Sequence, residues 1–295
     1  MVPQPRARLT VRVLITGGTG FVGSHLAEEL TRSGHEVVAL GRNEGDLAEP
    51  GVAERLVEAY APDVVVHSAA LVGRVIGEDD PAETNRQNVD VASLVAAVCA
   101  ANGARLLYGS TTDVYGPVGD RIVTEETPLD IRPDSVYGLS KRAGEYAVLR
   151  VVPDATLLRI SMPYGPGTAP GRPRGAIVNM LDQAVRGERI RVYRGDERSW
   201  CWVGDIARAI ALLIERDERG AWNIGRDDDR RSMLEVARAV CRATGASEDL
   251  IDEVDAPTAP AAGYVSTKKL RALGWKPEVD FEGGLRKTLV SMAPR

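Results

Sequence analysis

Short apolar runs rich in β-branched residues alternate with amphipathic stretches along the first half of the chain. The apolar runs predict buried strands over 11–16, 35–40, 62–70, 104–110 and 156–161. The stretches between them repeat apolar residues three to four positions apart and predict helices over 21–34, 50–61, 91–103 and 135–151. Parallel strands that alternate with helices are joined by right-handed crossovers. The pattern therefore predicts an α/β fold with a Rossmann-type, doubly wound parallel sheet.

The alternation becomes less regular after residue 162. The segment 163–175 holds four prolines and four glycines, which predicts a loop. Further helices are expected over 176–187, 205–216 and 232–245. We therefore expect one domain over 1–162 and a smaller region over 163–295, from which a segment at about 199–216 returns to the first domain.

Composition excludes several classes of protein. The net charge of −5 argues against nucleic acid or an anionic membrane as the main partner. No 18-residue apolar stretch is present, and the N-terminus lacks the apolar segment of a signal peptide. Three scattered cysteines and three histidines argue against a metal site and a disulfide framework. These features favour a soluble protein of the reducing cytoplasm.

A glycine-rich turn, TGGTGFVG, lies between the first predicted strand and the first predicted helix. Gly17 and Gly20 suit a tight turn and close approach to a pyrophosphate, and Gly23 allows the helix to pack closely. Structural turns also use glycine, but the strand before and the helix after favour dinucleotide binding.

The end of the second strand bears on the choice of dinucleotide. NAD-binding proteins usually carry an acid there, whereas this chain reads Gly41-Arg42-Asn43. Arg42 could pair with the 2′-phosphate of NADP, or it could be a solvated surface residue. Asp46 with Leu47 could instead contact the adenine. NADP is the favoured prediction, and NAD remains open.

Tyr137 and Lys141 are four residues apart on a predicted helix and therefore share a face. An ammonium beside a phenol favours the phenolate and lowers the pKa of the tyrosine, which prepares it for acid/base catalysis. Lys141 is also the only lysine before residue 268 in a chain that otherwise uses arginine. The alternative is an ordinary surface tyrosine with a solvated lysine.

A hydroxyl-rich stretch, GSTTDVYG, follows the strand predicted over 104–110. Ligands of parallel sheets bind beyond the carboxyl ends of the strands. A hydroxyl at this place could hold a substrate carbonyl beside Tyr137, although Ser and Thr also serve turns.

Together these segments resemble the extended short-chain dehydrogenase/reductase family, which contains sugar-nucleotide epimerases, dehydratases and reductases. The resemblance extends over nearly the whole chain and includes TGGTGFVG, HSAA, NVDVASLVAAV, STTDVYG, VYGLSK, LRISMPYGPG and LGWKPEVDFEGGLRKTL. It implies a nicotinamide cofactor, Tyr137 as acid/base with Lys141 as its support, Thr111 as the catalytic hydroxyl, and a supporting role for Asn88.

The resemblance also implies the remaining binding residues. Further cofactor contacts fall on Phe21, Val22, Ala69 and Ala70. The residues expected to contact a nucleotide-diphosphate sugar lie in three separate parts of the chain. They are Thr111, Thr112, Asp113, Arg174 and Arg198. The alternative for the arginines is a solvated basic loop. The family's subunits commonly pair through helices that correspond here to 91–103 and 135–151, so a homodimer is expected.

The short connection after the second strand is most similar to that of dTDP-4-dehydrorhamnose reductase and GDP-fucose synthase. The family's dehydratases carry an Asp-Glu pair where this chain has Thr112 and Asp113, so dehydration is not expected. The first hypothesis is an NADPH-dependent reductase of a nucleotide-linked 4-keto-(deoxy)sugar. The alternatives are an NAD-dependent nucleotide-sugar 4-epimerase and a non-catalytic dinucleotide-binding protein.

Overall fold

Parallel strands and the helices that connect them form most of the molecule. The computed structural model describes residues 10–119, 121–167, 175–255 and 264–293. The strands are β1 Arg12–Thr16, β2 Glu36–Leu40, β3 Val64–His67, β4 Arg105–Thr111, β5 Ile122–Val123, β6 Thr156–Ile160, β7 Pro163–Tyr164, β8 Ile190–Tyr193, β9 Glu197–Ser199, β10 Cys201–Trp202, β11 Gly220–Ile224, β12 Arg230–Ser232, β13 Ile251–Val254 and β14 Tyr264–Val265. The helices are α1 Phe21–Arg32, α2 Val52–Tyr60, α3 Arg74–Asp79, α4 Pro81–Asn85, α5 Val91–Asn102, α6 Val136–Val151, α7 Ala176–Arg186, α8 Val203–Glu215, α9 Met233–Thr244, α10 Lys268–Ala272 and α11 Phe281–Met292.

Six strands form one parallel sheet in the order β11-β6-β4-β3-β1-β2. The chain runs outward from β1 to one edge through β2 and then to the other edge through β3, β4, β6 and β11. The order therefore reverses between β1 and β3, which is where ligands of such sheets bind. Register brings Thr16 of β1 beside His67 of β3, and His67 beside Tyr108 of β4.

Alternating residues of the buried strands form cores on both faces of the sheet. Val13 and Ile15 of β1 point to the face that is covered by α1 and α8. Leu14 points to the opposite face, which α2, α5 and α6 cover. Helix α6 begins at a defined point because the Ser135 hydroxyl accepts a hydrogen bond from the Gly138 amide.

A second, smaller core lies in the last part of the chain. Helices α7, α9 and α11 pack around Tyr164, Trp200 and Phe281, beside the pair of strands β8 and β13. Strand β9, which carries Arg198, pairs with β12 in this region. The region therefore stands beside the sheet and contributes side chains to its carboxyl edge.

The predicted α/β fold with a Rossmann-type parallel sheet is confirmed. Strand β11, the strands of two to four residues outside the main sheet and helices α3, α4, α10 and α11 were not predicted. Helices α3 and α4 have six and five residues, which is too short for apolar periodicity to identify. Among the described residues, no helix is long and apolar enough to cross a membrane. Within the same ranges, no cluster of three or more His, Cys, Asp or Glu side chains could hold a metal ion.

Candidate active site

The glycine-rich turn lies at the reversal of strand order and is packed against the end of β3. Gly17 has φ of +68°, and a Cβ there would lie 2.7 Å from the Ala69 amide nitrogen. A Cβ at Gly23 would lie 2.2 Å from the carbonyl oxygen of Gly17. Only glycine fits at these two positions, so the turn packs its main chain directly against the end of β3 and the start of α1.

The turn leads directly into the first turn of α1. Gly20 precedes the helix, its amide is bonded to the Gly17 carbonyl oxygen, and its own carbonyl oxygen accepts from the Ser24 amide. Phe21 and Val22 form the first helical positions and are half-buried. The first turn carries no acidic side chain. Its amides therefore form a site suited to an anion such as a pyrophosphate.

Arg42 follows β2 immediately beside the glycine-rich turn. A Cβ at Gly41 would lie 2.5 Å from the Thr19 hydroxyl oxygen, which shows how closely β2 and the turn approach. Arg42 is exposed, and its side chain makes no hydrogen bond or ion pair with the other residues that the structure describes. The nearby Glu44 carboxylate accepts from the Gly41 amide at 2.7 Å.

Asp46 and Leu47 lie farther along the same connection. The Asp46 carboxylate accepts from the Ala48 amide at 2.9 Å and is paired with Arg86 at 3.2 Å. These hydrogen bonds hold the pKa of Asp46 below its usual value, the Ala48 amide contributing most. Leu47 is half-buried against the core beneath α2 and α5. Both acids near Arg42 are therefore engaged by other groups.

The hydroxyl-rich stretch forms a tight turn at the carboxyl end of β4. Thr111 is buried, and its hydroxyl accepts from the Asp113 amide at 3.2 Å. Thr112 and Asp113 are half-buried in that turn. A Cβ at Gly138 of α6 would lie 3.2 Å from the Asp113 carbonyl oxygen, so this turn touches the helix next to Tyr137.

Tyr137 and Lys141 are both buried on the inner face of α6. Helix α6 approaches β4 closely because position 144 is glycine, where a Cβ would lie 2.2 Å from the Tyr108 hydroxyl oxygen. The Lys141 ammonium lies over the Tyr108 ring, 4.2 Å from its centre. Burial lowers the pKa of Lys141 to about 7, and the carboxylate of Glu145 opposes that shift.

His67 lies beneath Lys141 at the end of β3. Its Nδ1 is 2.7 Å from the Thr16 hydroxyl oxygen, and its ring stacks on Tyr108 with centres 6.0 Å apart. Burial, with a smaller contribution from the Lys141 charge, lowers the pKa of His67 to about 3. The imidazole is therefore neutral at physiological pH and adds no second positive charge beside Lys141.

Asn88 connects α6 to the segment after β3. It lies in a π-helical turn over Arg86–Asp90, a distortion that is frequent near functional sites. The oxygen of its side-chain amide accepts from the Leu71 amide at 2.9 Å. The nitrogen donates to the Leu71 carbonyl oxygen at 2.8 Å and to the Ser140 hydroxyl at 3.0 Å. This fixes the loop that begins with the half-buried Ala69 and Ala70 relative to Tyr137 and Lys141.

Arg198 reaches the site from the C-terminal region. It pairs with Asp196 at 3.0 Å, and its guanidinium lies 3.6 Å from the sulfur of Met162. Burial raises the pKa of Asp113, an effect that the charges of Arg74 and Arg198 oppose, so both arginines lie within electrostatic reach of Asp113. Arg174 lies outside the described residues.

Met162, which precedes the segment PYGP over 163–166, adopts an unusual backbone conformation. Met162 has φ of +38°, in the left-handed region that favours glycine and asparagine. A methionine there holds its sulfur against Arg198 at the cost of local backbone strain.

Several residues of the site had no assigned role in the sequence analysis. His67, Tyr108 and Glu145 lie next to the candidate catalytic residues. Arg74 is paired with Asp134 at 2.8 Å and lies 3.9 Å from the Asp113 carboxylate. Glu145 had a usable signal, because it is four residues after Lys141 and so shares its helix face. The others are brought together only by strand register and by chain-distant packing.

A model of the NAD dependent epimerase/dehydratase family matches residues 13–225. The chain is 30% identical to dTDP-4-dehydrorhamnose reductase of Mycobacterium tuberculosis over 290 residues, which covers 96% of this chain and 93% of the relative.

Two solved structures share the fold. The Thermus thermophilus UDP-glucose 4-epimerase, solved in complex with NAD, is 29% identical with a TM-score of 0.83, covering 95% of this chain and 98% of that one. The Bacillus anthracis dTDP-4-dehydrorhamnose reductase, solved in complex with NADP, is 23% identical with a TM-score of 0.83 over 96% and 100% of the two chains, which shows the fold alone. The chain therefore belongs to the NAD dependent epimerase/dehydratase family, as the resemblance to extended short-chain dehydrogenases/reductases predicted.

Proposed function

We propose that this protein is an NADPH-dependent reductase of a nucleotide-linked 4-keto-(deoxy)sugar. The observation that carries the proposal is the convergence of Thr111, Tyr137 and Lys141, all buried, at the carboxyl edge of the sheet. The similarity to a dTDP-4-dehydrorhamnose reductase along 96% of the chain supports the same reaction class. In this proposal residues 1–162 hold the cofactor, and residues 163–295 mainly hold the substrate.

The turn between β1 and α1 fits a dinucleotide. Gly17 and Gly23 let main chain pack directly on main chain, against Ala69 and against Gly17, so the turn keeps the tight form that suits a pyrophosphate. Phe21 and Val22 contribute the helix amides, and Ala69 and Ala70 line the opposite side of the reversal point. When it is bound, NADPH supplies the hydride that reduces a ketone.

Three side chains share the remaining chemistry. The Thr111 hydroxyl donates a hydrogen bond to the substrate ketone oxygen. The Tyr137 hydroxyl gives its proton to the same oxygen as the ketone becomes an alcohol. Lys141 supplies a positive charge that stabilises the resulting phenolate and donates hydrogen bonds to the ribose beside the nicotinamide.

The sugar nucleotide is held by charged and hydroxyl groups around the same edge. Arg198 pairs with the diphosphate, with Arg174 as a further candidate, and Thr112 and Asp113 contact the sugar. The Asp113 carboxylate suits sugar hydroxyls, because hydroxyls can donate hydrogen bonds to it. The diphosphate can then bind Arg198 without competition from the sugar.

Arg42 makes NADPH the preferred cofactor. Its guanidinium is exposed beside the turn and is not paired with Glu44 or Asp46, which bond other groups. It is therefore available to a 2′-phosphate. We expect Arg42→Ala to weaken NADPH binding about tenfold and to leave NADH binding unchanged, since loss of one charge-assisted contact costs about 1.4 kcal/mol.

Titrating both cofactors by fluorescence tests this prediction. Arg186→Ala is a suitable control, because Arg186 is an exposed arginine of α7 that is paired with Asp182. If both cofactors lost affinity equally in Arg42→Ala, Arg42 would not recognise the 2′-phosphate.

The function itself is tested with dTDP-, UDP- and GDP-linked 4-keto-6-deoxyhexoses. Consumption of NADPH at 340 nm, with one 4-hydroxy product, is the expected result. If none of the three ketosugars oxidised NADPH or NADH, the reductase assignment would be rejected.

The second candidate is an NAD-dependent nucleotide-sugar 4-epimerase. It is favoured by the 29% identity to a UDP-glucose 4-epimerase with an almost equal chain length. An epimerase returns its hydride to the substrate and so needs no cofactor exchange. Release of stoichiometric NAD from the denatured protein, with interconversion of UDP-hexoses, would replace the reductase assignment.

A homodimer in the cytoplasm completes the proposal. The outer faces of α5 and α6 expose the small residues Ala97, Ala101 and Ala143 together with Tyr146, which is 67% exposed. Small residues let two helix pairs approach closely, and a large exposed aromatic ring suits an interface. Three free, buried cysteines fit a reducing compartment.

We expect the native protein to have the mass of two chains in light scattering. Tyr146→Glu should shift it to one chain, because a buried unpaired carboxylate opposes association. Val185→Glu is the control, since Val185 is 62% exposed but lies on α7. If Val185→Glu disrupted the dimer and Tyr146→Glu did not, the interface would not be formed by α5 and α6.

A further inference from the structure

A buried network of polar groups joins α6 to β4 and β6 beneath the candidate catalytic residues. The Glu145 carboxylate accepts from the Ser110 hydroxyl at 2.5 Å and from two nitrogens of Arg159 at 2.8 and 3.0 Å. Both members of the ion pair are almost fully buried. A carboxylate in such surroundings is held in one position, because any movement would leave a buried charge without a partner.

The network continues from Arg159 to the turn that follows Thr111. Arg159 donates to the Tyr115 hydroxyl at 2.9 Å, and Tyr115 donates to the Asn223 side chain at 2.8 Å. Ser110 precedes Thr111, and Tyr115 is the last residue of the turn over 112–115. The segment that carries Thr111 is therefore anchored at both ends. Ser110 bonds Glu145 directly, and Tyr115 is linked to Glu145 through Arg159.

Glu145 also lies one helical turn beyond Lys141 and two turns beyond Tyr137. All three side chains are buried on the same face of α6. The charged or titratable groups that face this part of the molecule are Tyr137 and Glu145 on α6, His67 on β3, Tyr108 on β4 and Arg159 on β6. Glu78 of α3 accepts from the Val136 amide at the start of α6. Of these, Glu145 is the acid whose charge opposes the effect of burial on Lys141.

An ordinary buried ion pair would only fasten two elements together. The Glu145–Arg159 pair has two further partners. The Ser110 hydroxyl, next to Thr111 on β4, donates to Glu145, and Lys141 lies one helical turn before Glu145. We propose that Glu145 is a positioning residue, which fixes Thr111 relative to α6 and keeps Lys141 in its ammonium form through a buried negative charge. The proposal rests on the cofactor site of the proposed function.

Loss of the Glu145 charge has a definite direction. An ammonium is lost as the pH rises through its pKa, and a nearby negative charge raises that pKa. Glu145→Gln removes the negative charge and leaves Arg159 unbalanced, and both changes favour neutral Lys141. We expect the alkaline decline of NADPH affinity to move down by about one pH unit, so that affinity at pH 8 falls about tenfold.

The experiment measures the NADPH dissociation constant by fluorescence from pH 5.5 to 9.5, which needs no ketosugar. The double variant Glu145→Gln/Arg159→Met removes both charges and should show a smaller displacement in the same direction. Asp205→Asn is the control, since Asp205 is a buried acid paired with Arg208 on α8, across the sheet. It should keep the wild-type profile.

Two further measurements separate the possible failures. Lys141→Met should abolish the decline of NADPH affinity at alkaline pH. If the decline persisted in that variant, the proposal would be overturned. An unshifted profile in either Glu145 variant would also overturn it and assign the network to stability alone. Wild-type protein that binds neither NADPH nor NADH would instead reject the proposed function, which is a different outcome.

Discussion

Replacing Tyr137 by phenylalanine is expected to lower kcat for ketosugar reduction by about 10³-fold and to leave NADPH binding nearly unchanged. The ring would remain buried on the inner face of α6, since only the hydroxyl is removed. In the proposed reaction that hydroxyl protonates the ketone oxygen as it becomes an alcohol, and a positioned general acid contributes about 10²–10⁴-fold. The substitution therefore removes one chemical step while it preserves the packing beneath it.

The measurement is the steady-state rate of NADPH oxidation, together with the dissociation constant of NADPH and the melting temperature. Tyr146→Phe is a matched control, because it makes the same change on the same helix at an exposed position. It should retain the wild-type rate and, being apolar, the dimer. A Tyr137→Phe enzyme with more than a tenth of the wild-type kcat would mean that another group delivers the proton.

The choice of lysine at position 141 follows from its surroundings. The side chain is 2% exposed and ends over the Tyr108 ring, with neutral His67 below and Glu145 one turn away. A guanidinium is larger, planar and does not lose its proton in this range. Lysine can instead fit the narrow space that Gly144 opens between α6 and Tyr108 and can titrate near neutral pH.

The parts of the site that could be predicted from the sequence are those encoded by local spacing. Gly17, Gly20 and Gly23 span one turn, and Tyr137 with Lys141 spans one turn of a helix, so each motif needs only its own segment to form. The alternation of strands and helices likewise specifies the parallel sheet. Strands of β-branched apolar residues need cover on both faces, and the helices between them supply it in a parallel α/β sheet.

The remaining residues are brought together by pairs far apart in the chain. His67 meets Tyr108 through strand register, and Glu145 meets Arg159 across α6 and β6. No periodicity encodes such a pair, since each partner alone has the pattern of an ordinary buried or surface residue. β11 was missed for a related reason: its GAWNI segment is short and begins with glycine, so its place at the sheet edge depends on pairing with β6.

The second large effect is expected from Gly23→Ala. The added methyl group would lie 2.2 Å from the Gly17 carbonyl oxygen and 2.9 Å from the Gly18 Cα, which are main-chain atoms of the cofactor turn. Neither can rotate away, so the turn and α1 must separate. Forced overpacking of this kind costs about 1–3 kcal/mol of stability. A comparable loss of pyrophosphate contacts would weaken NADPH binding by roughly 100-fold.

Gly283→Ala of α11 distinguishes this effect from the general consequence of adding a methyl group to a helix. Its Cβ would meet chiefly the flexible Asp280 carboxylate, at 2.5 Å, so the gain in helix propensity should nearly offset the weakened cap. The two variants are compared by melting temperature and by NADPH titration. If Gly23→Ala bound NADPH as the wild type does, the turn after β1 would not hold the pyrophosphate, and the cofactor site would have to be sought at another part of the carboxyl edge.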